Sequence, residues 1–79
     1  MSQKIRRNPT LGNNIRNLRL KSNLTQEQVT IRLQLCGLDT SRSIYSQIES
    51  GTYNIKVEEL IALKSIFNCS FDDFFLNIL

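Results

Sequence analysis

Seventy-nine residues make one small domain, whose folding hides only about 60–65% of the unfolded chain's surface. With 41% hydrophobic and 22% charged residues, one proline and three glycines, the composition is that of an ordinary globular protein. The formal net charge is a modest +3. No apolar run is long enough for a transmembrane span or a signal-peptide core, so the expected location is the cytoplasm.

The charge is unevenly spread. Residues 1–21 hold Lys4, Arg6, Arg7, Arg16, Arg19 and Lys21 and no acid, whereas residues 22–51 set Arg32 and Arg42 against Glu27, Asp39 and Glu49. The remainder sets Lys56 and Lys64 against Glu58, Glu59, Asp72 and Asp73. A basic N-terminal third fits a polyanion-binding face, and it equally fits a solvated charged surface. Cys36 and Cys69, in a chain without histidine, do not make a zinc site. They read as reduced thiols, Cys69 as a small core residue, with a disulfide between them as the lesser alternative.

In chain order, residues 1–9 are poor in apolar side chains and are expected to form a mobile basic arm, ahead of a domain over 10–79. Thr10 is the expected cap of a first helix, with Leu11, Ile15 and Leu18 along one buried stripe. It should end near Ser22 and Asn23, since asparagine tolerates the left-handed conformation just past a helix. Thr25 and Gln28 then form the Thr-x-x-Gln capping box of a second helix, in which Val29 and Leu33, with Ile31 as a further candidate, face inward. Gly37 suits a helix exit that needs positive φ.

Ser41 is the expected cap of a third helix, about 41–50, with Ile44, Tyr45 and Ile48 on its apolar side and Gly51 as its stop. A Thr52-Tyr53-Asn54 loop leads to a fourth helix carrying Val57, Leu60, Leu63 and Phe67 at helical spacing. Ser70 caps a short fifth helix, with Asp72 and Asp73 in its first turn and Phe71 and Phe74 closing the bottom of the core. Nothing alternates like a strand, so the expected fold is an all-α bundle of five helices.

The exposed positions of the third helix are Arg42, Ser43, Ser46 and Gln47, whose guanidinium, hydroxyl and amide groups hydrogen-bond both phosphates and base edges. Leu24-Thr25-Gln26-Glu27-Gln28-Val29 opens this region and Ile48-Glu49-Ser50-Gly51 closes it. From about Leu11 to Phe74 the chain resembles the phage-repressor and Cro type of helix-turn-helix regulator, the xenobiotic-response-element family with its lambda-repressor-like bundle. The resemblance implies sequence-specific binding of double-stranded DNA in transcription regulation, with repression as the expected role, by a recognition helix in the major groove.

Carried over by position, it implies base contacts from Arg42, Ser43 and Gln47, and phosphate contacts from Gln26, Ser41, Arg19, Ser46 and Thr52. It also implies a structural pair between Arg19, near the end of helix one, and Glu49, before the glycine turn. Between the two helices of the motif the chain is longer than the common form, the surplus lying in residues 34–40. The Leu33-Gln34-Leu35-Cys36-Gly37-Leu38-Asp39 segment followed by Ser41-Arg42-Ser43 is similar to a bacterial subgroup with this longer link. Loop entropy grows slowly with length, so the insertion is tolerable, but it leaves the angle between the two helices open.

A protein-interaction module or an antitoxin component built on the same fold is the alternative. No nucleophile–base constellation, glycine-rich phosphate loop, cofactor site or small-molecule site is visible, so enzymatic activity is not expected. The end of the chain, Phe74-Phe75-Leu76-Asn77-Ile78-Leu79, is too apolar for one short helix to turn wholly inward. It therefore suggests a homodimer through this tail, with a monomer whose tail folds back over the core as the rival.

Overall fold

The computed structural model describes residues 3–78. Five helices follow one another, α1 (Pro9–Lys21), α2 (Gln26–Leu35), α3 (Arg42–Ser50), α4 (Val57–Phe67) and α5 (Phe71–Phe74), and no strand forms among the described residues. The all-α five-helix expectation holds.

Local chemistry sets the helix ends. Thr25 and Gln28 form the reciprocal capping box, with Gln28 N donating to Thr25 Oγ1 at 3.1 Å and Thr25 N to Gln28 Oε1 at 2.9 Å. Ser41 Oγ accepts from Ile44 N at 3.1 Å, and Gly51 closes α3 at φ 77°. The cap of α1 is Asn8 rather than Thr10: its Oδ1 accepts from Thr10 N at 2.8 Å and Leu11 N at 3.2 Å. Pro9 can then take the first helical position, where its missing N–H costs nothing.

Leu11, Ile15, Val29, Leu33, Tyr45, Ile48, Leu60, Leu63, Phe67 and Phe74 are all buried in one core. Leu18, Ile44 and Val57 are half-buried at its edge, and two other expected core positions stand exposed. Ile31 is 49% exposed on the outer face of α2, and Phe71 is 43% exposed, with the Lys64 ammonium 5.3 Å from its ring centre. Phe74 alone closes the base, because a four-residue helix presents only one side to the core. Cys69 is half-buried, Cys36 is exposed, and both are free thiols.

Residues 3–9 do not form the free arm expected from their composition. Ile5 N donates to Ile55 O at 2.7 Å, Val57 N to Gln3 O at 2.8 Å, and Arg7 N to Asn54 Oδ1 at 2.7 Å. Ile5 packs against the core, which offsets the entropy of ordering the segment. Met1 and Ser2, the rest of the expected arm, lie outside the described residues.

Gly12 lets α1 and α3 approach closely. A Cβ there would lie 2.6 Å from the carbonyl oxygens of Ile48 and Glu49 and 2.9 Å from Gly51 N, all of them backbone atoms with little freedom to shift. Gly12→Ala should therefore cost about 1–3 kcal/mol or more by overpacking, although alanine is the better helix former. Urea unfolding of the variant checks this, and an unchanged or raised stability would contradict so close a contact.

Candidate nucleic-acid interface

Three helices meet at one buried carboxylate. Arg19, near the end of α1, donates from Nε to Glu49 Oε2 at 2.6 Å and from Nη2 to Glu49 Oε1 at 3.1 Å. Tyr45 OH donates to Glu49 Oε2 at 2.6 Å, and Gln26 Nε2 to Glu49 Oε1 at 3.0 Å. Burial by itself pushes the Glu49 carboxyl up, but the hydrogen bonds from Arg19, Tyr45 and Gln26 outweigh it and hold its pKa below the ordinary value. The same contact with Glu49 raises Arg19 against the cost of its own burial. Burial, followed by the bond to Glu49, holds Tyr45 protonated far above the ordinary phenol range.

The expected Arg19–Glu49 pair is thus formed, and both side chains are almost wholly buried, at 10% and 3% exposure. Arg19 also donates from Nη1 to Leu24 O at 2.9 Å, so three of its five N–H groups are engaged inside the protein. Its geometry is that of a strut between α1, the α1–α2 turn and α3.

This network reaches the surface through Gln26. Its Oε1 accepts from Arg42 Nε at 3.2 Å, so one amide links the first residue of α2 to the first residue of α3. The Nη groups of Arg42 stay unengaged among the described residues. They form the edge that can give two parallel bonds to a guanine. Ser43 and Gln47, one helical turn apart, are exposed on the same side of α3, as are Ser46 and Ser50. Ser41 is exposed ahead of them, and Thr52 follows with its N–H on Gln47 O at 3.1 Å and its hydroxyl 2.9 Å from Ser50 Oγ.

The inserted link is anchored rather than looped out. After Gly37, at φ 88°, Leu38 is half-buried and Thr40 is buried. Thr40 Oγ1 donates to Glu59 Oε2 at 2.5 Å, and Glu59 Oε1 accepts from Lys56 N at 2.9 Å. Glu59 itself is 1% exposed, so one buried carboxylate ties the residue before Ser41 to the first turn of α4. Asp39 lies 4.0 Å from Lys56 Nζ on this side, and Arg32 and Gln34 are exposed on α2.

Sequence reasoning missed Asn8, Gly12, Thr40, Asn54 and Glu59. Asn8 before Pro9 carries a visible cap signal; the other four act through contacts distant in sequence. Among the described residues no group of side chains is arranged to hold a metal ion, and no helix is long and apolar enough to cross a membrane.

Comparison with known proteins bears on this geometry. The family model described as helix-turn-helix matches residues 34–74, more than half of the chain. The restriction-modification controller protein C.AhdI from Aeromonas hydrophila is similar in structure, at TM-score 0.71 and 25% identity, over 85% of this chain and 94% of its own. The clp gene regulator ClgR from C. glutamicum shares the fold, at TM-score 0.72 and 20% identity, over 84% of this chain and 78% of its own. No curated protein sequence matches. The matched stretch contains α3, its buried Glu49 anchor and the two helices that follow, and the chain belongs to the helix-turn-helix family, as a DNA-binding transcription regulator of the phage-repressor and Cro type.

Proposed function

We propose that the chain is a site-specific repressor that binds duplex DNA as a homodimer, with α3 in the major groove. The observation that carries this reading is the contrast between the two sides of α3. Tyr45, Ile48 and Glu49 are locked into the core, while Arg42, Ser43, Ser46 and Gln47 all stand exposed on a rigid support. A base-reading surface needs that combination, because an ordered side chain loses less entropy on binding. In this reading Arg42, Ser43 and Gln47 contact base edges, and Ser41, Ser46 and Thr52 contact phosphates.

Gln26 has one amide N–H left after its bond to Glu49, and in this reading that N–H is the donor to a phosphate at the start of α2. The two N–H groups left on Arg19 serve a phosphate at the edge of the same strut. Residues 10–79, with the arm seated on them, act as one DNA-binding unit in the cytoplasm.

The dimer reading rests on the tail. Asn14 Nδ2 donates to Phe74 O and Leu76 O, each at 2.8 Å, and so fixes the tail against α1. Phe75 and Leu76 nevertheless remain 39% and 56% exposed, which leaves an ordered apolar surface. Ile78 is half-buried against the core, and Leu79 lies outside the described residues. Two-fold pairing through this face would set two recognition helices about 34 Å apart, for a near-palindromic site.

Sedimentation of the full chain should give a dimer. Phe75→Ser with Leu76→Ser should give a folded monomer that binds the palindromic site about 10²–10⁴-fold more weakly. A full-length chain that stays monomeric at high concentration, free and on DNA, would remove the dimer.

A further inference from the structure

We infer that residues 4–7 form a second phosphate-gripping element, which holds the DNA backbone beside the groove that α3 enters. This rests on the DNA-binding reading and adds to it a surface outside the helix-turn-helix. Lys4, Arg6 and Arg7 are exposed, and no carboxylate among the described residues lies within ion-pair distance of any of them. The bonds from the backbone N–H groups of Ile5 and Arg7 to Ile55 O and Asn54 Oδ1 fix the backbone that carries these cations. An isolated antiparallel bridge also sets Lys4 opposite Lys56, whose Nζ lies 4.0 Å from Asp39, so Lys4 is the unpaired cation of the two.

Position relative to α3 completes the case. The segment that receives the arm follows directly from the recognition helix: Gly51 packs on Pro9, a Cβ at Gly51 falling 2.5 Å from Pro9 Cα. Thr52 bonds back to Gln47, and Asn54 accepts from Arg7. An exposed polar ridge therefore runs from Ser43 and Gln47 through Ser50, Thr52 and Asn54 to Arg7. The nine residues of α3 span about 13.5 Å, and the major groove is about 12 Å wide. With the first turn of α3 at the bases, its far end and the arm beside it fall at the groove wall, where the phosphates run. Because the arm is already ordered, little further entropy is lost when it binds.

The test compares the full chain with an Arg6→Gln, Arg7→Gln double variant on one preferred duplex and one scrambled duplex, across a salt series. Each lost phosphate contact should flatten the log-affinity against log-salt slope by about 0.9, hence by about 1.8 for each bound subunit. Between about 50 and 200 mM salt the wild type should then lose about 12-fold more affinity per subunit than the variant. The loss should be equal on both duplexes, with base preference and melting temperature unchanged. Equal slopes and affinities for the two proteins would overturn the inference. A wild type that binds neither duplex in a salt-dependent way would instead overturn the DNA-binding reading on which it stands.

Discussion

Glu49→Ala should destabilise the fold by about 3–5 kcal/mol, the largest single-residue effect anticipated in this chain, because it leaves a buried guanidinium unpaired. Tyr45 OH and Gln26 lose their acceptor in the same step. Arg19→Ala should cost a comparable amount, leaving a buried carboxylate without its cation. The double variant should lose much less than the two singles together, since each single change already removes the interaction. Urea unfolding of the three proteins checks this, and additive losses below about 1 kcal/mol each would describe two independent surface charges instead.

The same site gives a sign for pH. Glu49 has a lowered pKa in the folded protein, so it contributes stability above the ordinary carboxyl value of 4.5, and this is lost as pH falls through the folded value. Wild-type stability should therefore drop on acidification below that point, and Glu49→Gln should make this part of the profile flatter.

The second large effect concerns DNA. Arg42→Ala or Gln47→Ala should cost about 1–3 kcal/mol on the preferred site and relax preference at one base pair, because each side chain can make two bonds in a fixed plane. Gln26→Ala should do more than lower overall affinity. It releases Arg42 from its 3.2 Å bond, so some base discrimination should fall with overall affinity. Competition binding with single-base variants of the site reads both outcomes, and a Gln47→Ala profile identical to wild type would remove Gln47 from the groove.

Much of the bundle is legible in the sequence because its determinants are local. Thr25 with Gln28, Ser41, Gly37 and Gly51 announce helix ends within four residues of where they act, and Leu11, Ile15, Val29 and Leu33 follow helical spacing. The Arg19–Glu49 pair came from family resemblance rather than from spacing, since thirty positions separate its members. Phe71 and Ile31 are exposed against expectation for a related reason: periodicity gives a helix an apolar side, but not how much of that side its neighbours cover.

What stayed hidden depends on tertiary contact. The arm composition reads as free chain, and only the edge offered by Asn54, Ile55 and Val57 orders it. The orientation of the long link was open until Thr40 met Glu59. Gly12 looks like a weak point in α1 until the backbone of α3 is seen against it.

The most direct test of the account is selection of bound sites from a random duplex pool with the wild-type chain, followed by the same selection with Arg42→Ala. The wild type should enrich two inverted half-sites about 10 base pairs apart, centre to centre. The variant should enrich the same arrangement with information lost at one position of each half-site. A wild type that enriches no sequence, or an Arg42→Ala variant that enriches an unchanged one, would contradict the claim that the exposed face of α3 reads DNA.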